Sequence, residues 1–170
     1  MEYVIIIGGG PVGFINALGL AQAGIRVSVI EAEPQIINSP RAAVYFWSVL
    51  DGLGRLGILE DIEAAGVRKQ DYTYLVRRTG ERIVYSMEIL QGRTPHPYNL
   101  HLGQHCLADI AMRRLKTFSN ATIRFGTQLQ KLHQDAEGVT LSVETKRGTA
   151  EMRARWVVGA SAMATRARRS

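Results

Sequence analysis

The chain has 170 residues, 46% of them hydrophobic, and a formal charge of +6; it can bury one substantial core, which excludes a disordered or fibrous chain. Arg153, Arg155, Arg166, Arg168 and Arg169 crowd the last eighteen residues, so much of the excess charge is local, and no zinc-finger spacing or basic-aromatic helix points to nucleic acid. Cys106 is the only cysteine, which excludes an intrachain disulfide and fits a reducing cytoplasm.

Tyr3 to Ile7 opens the chain as an apolar run. Val4, Ile5, Ile6 and Ile7 are β-branched without polar alternation, the pattern of a central parallel strand covered on both faces. The cluster Gly8-Gly9-Gly10-Pro11-Val12-Gly13 follows. Gly8 permits a sharp turn at the strand end, Gly10 has no Cβ to block a pyrophosphate, and Gly13 permits close packing of the next helix. Pro11 suits a first helical turn, and the amides left free there, Val12 among them, face an anion at the positive end of the helix dipole.

Phe14, Ala17, Leu18 and Ala21 repeat at helical spacing before Gly24, a natural stop. A second strand, Arg26 to Ile30, ends in Glu31, whose carboxylate can accept hydrogen bonds from both hydroxyls of an adenosine ribose. An acid there opposes a 2′-phosphate, so FAD or NAD fits better than NADP. Strand, glycines, helix, strand and acid in this order predict a dinucleotide cradle.

Ala32 to Pro40 reads as a loop, closed by Arg41. Ala43 to Leu50 and Arg55 to Ala65 read as helical pieces broken by Gly52, Gly54 and Gly57. Tyr72, Tyr74 and Val76 alternate, Thr79-Gly80 turns, and Ile83 and Tyr85 alternate on the return, which predicts a hairpin. Gln91 to Leu102 reads as a second loop ended by Gln104. Leu107, Ile110, Ala111 and Leu115 then predict a helix that carries Cys106 as a small buried hydrophobe. Strands are predicted near Thr122 to Phe125, Gln128 to Leu132, Val139 to Glu144 and Met152 to Val158, with a turn at Asp135 to Gly138.

His101 and His105 are not read as metal ligands, because Gly103 interrupts the helix that would align them and no cysteine or carboxylate sits at ligand spacing. No nucleophile elbow is present, and no catalytic residue is named. The N-terminus has no basic leader and the longest apolar stretch is too short to span a bilayer, so the expectation is a soluble cytoplasmic protein without membrane contact.

The order of parts resembles the single-component flavoprotein aromatic hydroxylases, typified by para-hydroxybenzoate hydroxylase and the phenol hydroxylases. The resemblance runs from Tyr3 to about Ala160. It rests on GGGPVG at Gly8 to Gly13, VSVIEAEP at Val27 to Pro34, PRA at Pro40 to Ala42, LDGLGRLGI at Leu50 to Ile58, the Gln104 helix, FGTQL at Phe125 to Leu129 and RWVVGA at Arg155 to Ala160. It implies an α/β, Rossmann-like FAD-binding domain over residues 1–160, truncated, with an inserted hairpin and loop at 72–100 toward the substrate side and an atypical basic tail at 161–170. By the same resemblance, Gly8, Gly10, Pro11, Val12 and Gly13 hold the FAD pyrophosphate and Glu31 the adenosine ribose. Arg41 and Gln104 approach the pyrophosphate or ribityl region, and the Leu129 backbone edges the adenine.

In such a family NADH or NADPH reduces FAD, and dioxygen is then used to hydroxylate a small aromatic substrate. The chain departs from the pattern after VVGA, where Asp-Gly is expected and Ser161-Ala162 stands instead. The expectation is therefore the FAD-binding N-terminal part of an NAD(P)H-dependent monooxygenase, inactive alone, with a truncated or frame-shifted gene as one hypothesis for the departure. The alternatives are a noncatalytic FAD- or NAD-binding interaction module and a fragment of another flavin oxidoreductase. An open sheet would expose apolar surface and favour self-association.

Overall fold

The structure is a computed structural model that describes residues 2–38 and 43–161. Its elements in chain order are β1 (Glu2–Ile7), α1 (Pro11–Gln22), β2 (Val27–Ile30), β3 (Val44–Tyr45), α2 (Trp47–Arg55), α3 (Leu59–Ala65), β4 (Val67–Lys69), β5 (Asp71–Val76), β6 (Glu81–Ser86), β7 (Asn99–His101), α4 (Gln104–Leu115), β8 (Ala121–Arg124), β9 (Thr127–Asp135), β10 (Gly138–Thr145) and β11 (Gly148–Gly159). Contacts group the described residues into two units, one drawn from Met1–Ser39 and Leu107–Ser170, the other from Pro40–Cys106.

The first unit is built on a six-stranded sheet in the order β8-β2-β1-β11-β10-β9. As its β-branched run predicts, β1 lies inside the sheet, pairing in parallel with β2 (Ile5 opposite Ser28) and with β11 (Ile5 opposite Val157). Strand β11 is long enough to serve two partners: its end runs parallel to β1, while its earlier residues pair antiparallel with β10, which in turn pairs with β9. Alternation along β1 sends successive side chains to opposite faces. Ile5 joins Ile30, Leu129, Val139, Leu141, Val143 and Ala154 in one buried cluster, so side chains of the antiparallel strands cover that face. Ile6 lies under α1, whose Phe14, Ala17, Leu18 and Ala21 are buried at the predicted helical spacing. The larger of these side chains, Ile5, Ile6, Phe14 and Leu18, each stabilise the fold by about 1.5–3 kcal/mol on full burial.

The predicted turn at Asp135 is present. Its carboxylate accepts from the amides of Glu137 (2.8 Å) and Gly138 (2.9 Å) and pairs with Arg153. The Glu137 amide, then the Arg153 guanidinium, and last the Gly138 amide hold its carboxyl below the ordinary aspartate value.

The second unit contains a three-stranded sheet in the order β3-β7-β4 and the two-stranded hairpin β5-β6. The hairpin has the predicted strands and turn, with Tyr72 opposite Tyr85 and Tyr74 opposite Ile83. Three expectations are corrected. Val44 and Tyr45 are a short strand rather than helix, because they pair with His101 and Leu100. Gly52 and Gly54 do not break α2, which runs from Trp47 to Arg55 and is held down by buried Leu50 and Leu53. The supposed loop from Gln91 to Leu102 includes β7, the middle strand of its sheet, with Leu100 fully buried. Helix α4 starts at Gln104 as expected, but Cys106 is only half-buried, with its Sγ 3.3 Å from His105 Nε2.

A polar cluster, with Tyr98 buried and Arg68 exposed, fastens α3 to β4 in this unit. Glu63 accepts a hydrogen bond from the Tyr98 hydroxyl and pairs with Arg68 at 2.7 Å, and the Arg68 guanidinium lies 4.9 Å from the Tyr98 ring centre. Burial, then the hydrogen bond to Glu63, pushes the Tyr98 hydroxyl up to about 12.

Candidate functional site

The carboxyl ends of β1 and β2 meet at the glycine cluster, the place where open α/β sheets bind ligands. Gly8 donates its amide to Ile30 O at 2.9 Å and has φ +115, a conformation that side chains disfavour. A Cβ on Gly8 would also lie 2.8 Å from the carbonyl carbon of Ala160, at the end of β11. Gly13 is required by contact instead: its Cβ would stand 1.9 Å from Gly8 O, with Ile6 just beyond. These two glycines are explained by the protein's own backbone.

Gly10 is different. Its φ of −83 suits any residue, and a Cβ there would meet nothing within 4 Å. The protein itself gives no reason for glycine at this position, so the cradle is open where a bulky group must approach. Pro11 begins α1, the first turn carries no acidic side chain and Gly10 supplies no side-chain cap. The amides of Gly10, Val12 and Gly13 make no hydrogen bond to other described residues. They supply donors for an anion at the positive end of the helix dipole.

Glu31 lies at the same place. Its Oε2 accepts from the Gly9 amide at 2.6 Å and its Oε1 from the Glu33 amide at 2.9 Å. A carboxylate has about four acceptor positions, so two amides leave capacity for ribose hydroxyls. The backbone of Glu31 is held as well: its amide donates to Arg124 O at 2.9 Å, and Thr127 donates to its carbonyl at 2.8 Å. The turn from β8 to β9 therefore fixes the acid. Leu129 follows two residues later on β9, an edge strand, with its side chain in the core cluster. Edge position leaves one side of that backbone without a strand partner, and adenine could be met there.

The structure thus brings Gly8, Gly10, Pro11, Val12, Gly13 and Glu31 together, with Leu129 on the strand that leaves the turn bound to Glu31. Gln104 is the first residue of α4, in the second unit. Arg41 and residues 162–170 of the basic tail lie outside the described residues. Sequence reasoning gives Gly9 no role separate from the Gly8 to Gly13 motif, and the FGTQL string carries no sign that its Thr127 amide binds Glu31. Among the described residues no cluster of histidine, cysteine or carboxylate side chains could hold a metal, and His101 and His105 occupy different elements, β7 and α4.

Known proteins resemble this chain in sequence and in fold. Residues 2–170 match the FAD binding domain family. The chain is 40% identical over 159 residues to 6-hydroxy-3-succinoylpyridine 3-monooxygenase of Pseudomonas putida, covering 94% of this chain and 40% of that protein. It is 36% identical to the para-nitrophenol 4-monooxygenase of a Pseudomonas species, covering 92% of this chain and 39% of that one. The crystal structure of p-nitrophenol 4-monooxygenase from Pseudomonas putida DLL-E4 superposes with a TM-score of 0.90 at 34% identity, over 95% of this chain and 41% of that one. The chain therefore spans about two fifths of the length of these relatives. A glycine cradle left open at Gly10, an acid fixed beside it and a match over residues 2–170 agree: the chain belongs to the FAD binding domain family.

Proposed function

We propose that the chain is the FAD-holding part, residues 1–160, of a longer NAD(P)H-dependent monooxygenase that hydroxylates a small aromatic compound in a reducing cytoplasm. The observation that carries this reading is the glycine at position 10, which the protein's own packing does not require. FAD, when bound, would pass electrons from NADH or NADPH to dioxygen, the chemistry by which such proteins hydroxylate a ring.

The residues of the chain bind and orient. The free amides of Gly10, Val12 and Gly13 receive the pyrophosphate, with Gly8 and Pro11 setting the path of the loop. Glu31 accepts from the adenosine ribose, and the Leu129 backbone borders the adenine. Arg41 and Gln104 complete the charge and hydrogen bonding along the phosphate and ribityl chain, for which a guanidinium fork is well suited. The segment 72–100, which contains the hairpin, forms a wall toward the substrate. Aromatic substrates are proposed because the relatives' names specify a hydroxypyridine derivative and para-nitrophenol.

A noncatalytic FAD-binding module is the second reading, favoured by Ser161 at the position where the hydroxylases place an acid. Purified protein separates the two. A yellow preparation with NAD(P)H-dependent oxygen uptake supports the monooxygenase, a yellow preparation without uptake supports the module, and a preparation that takes up no added FAD contradicts both.

A further inference from the structure

We infer that Glu31 is a positioning residue that locks the phosphate-binding loop into shape before any ligand arrives, in addition to receiving a ribose. The inference rests on the dinucleotide reading of the cradle and concerns how that cradle is held. Of the loop amides, that of Gly9 does not face the open space. It donates to Glu31 Oε2 at 2.6 Å, and a Cβ on Gly9 would meet Glu31 Cβ at 2.9 Å. The carboxylate therefore sits directly against the loop, on one of its few polar handles.

Glu31 is itself immobilised from three directions. Its Oε1 accepts from Glu33 at 2.9 Å, its amide donates to Arg124 O at 2.9 Å, and Thr127 donates to its carbonyl at 2.8 Å. Gly126 donates to Glu33 O at 2.9 Å, which ties the same turn to the next residues. An unbroken series of hydrogen bonds thus runs from the β8–β9 turn through Glu31 to Gly9. Glycine-rich backbone has more conformations to lose than any other, so an external anchor reduces the ordering cost that an anion would otherwise meet on binding.

Charge makes the role testable. A carboxylate near a pyrophosphate repels it, so on Coulombic grounds alone removing the charge should tighten binding of the anion. Locking gives the opposite sign whenever the acceptor is removed along with the charge. Glu31→Gln removes the charge but keeps an oxygen that can accept from Gly9. Glu31→Ala removes both, and Glu31→Asp keeps the charge while withdrawing it by one methylene. Gly9→Ala breaks the contact from the loop side with the carboxylate intact.

The test combines amide hydrogen exchange at Gly9 and Gly10 in the ligand-free chain with titration of inorganic pyrophosphate, which has no ribose, and of FAD in parallel. Exchange at Gly9 should be on the order of tenfold faster in Glu31→Ala, Glu31→Asp and Gly9→Ala than in Glu31→Gln. Pyrophosphate should bind roughly tenfold more weakly to Glu31→Ala than to Glu31→Gln, although both have lost the same charge. Equal exchange and equal pyrophosphate affinity in the alanine and glutamine variants would overturn the inference while leaving FAD binding by the wild-type chain as a separate result. Wild-type chain that binds FAD but shows no slowed exchange at Gly9 would overturn it too.

Discussion

Glycine is present at four positions of the cradle for different reasons, and substitutions separate them. Gly13→Ala places a methyl 1.9 Å from Gly8 O. The loop must shift, and the fold should lose about 1–3 kcal/mol or more, read as a lower denaturant midpoint. Glu31→Arg inverts the charge at the ribose position and removes the acceptor of Gly9. FAD should weaken, and the ratio of affinities for ADP and 2′-phospho-ADP should move toward the phosphorylated ligand; an unchanged ratio would remove Glu31 from the ribose role. Most of this site was legible in the sequence because its logic is local: five glycine-cluster positions and one acid, separated by one helix and one strand. What was hidden is the support from Thr127 and Arg124, whose backbone groups reach Glu31 across nearly a hundred residues of chain. Backbone hydrogen bonds of that range carry no residue signature.

Among the elements, the long apolar periodic ones were readable and the short ones were not. Strands β1, β10 and β11 and helix α1 announce themselves by composition. Strands β4 and β7 have three residues each and contain charged or polar side chains, so only their pairing through Leu100 and His101 defines them. Glycines within a helix cost roughly 1 kcal/mol each relative to alanine, yet α2 persists because Leu50 and Leu53 are buried. In the first unit, Leu141 is fully buried in the core cluster that contains Ile5 and Ile30. Leu141→Ala should cost about 2–5 kcal/mol, measured by denaturant unfolding. The α3–β4 cluster gives a pH signature. The Tyr98 hydroxyl is raised from 10 to about 12, so its contribution is complete below pH 10 and is lost as pH rises toward 12. Stability should therefore fall with pH across that window, and Tyr98→Phe should flatten the fall; an unchanged slope in the variant would contradict the assignment.

Both units expose large apolar side chains. Trp156 is 57% exposed and Val84 is 70% exposed, with Leu75 and Ile83 on the same hairpin. Patches of this kind mark interaction surfaces or aggregation hazards, and an isolated two-stranded hairpin is marginal in water. The chain should accordingly self-associate as its concentration rises, seen as an increase in weight-average mass by light scattering. A concentration-independent monomer would contradict that expectation. No helix among the described residues is long and apolar enough to cross a membrane.

The central claim is that the open space beside Gly10 belongs to the diphosphate of FAD, and a calorimetric titration of FAD into wild-type and Gly10→Val protein tests it most directly. The side chain has room in the ligand-free fold, so the thermal unfolding midpoint should stay close to wild type. FAD affinity should fall by at least roughly tenfold, equivalent to about 1.4 kcal/mol. Equal FAD affinity in two equally stable proteins would contradict the account.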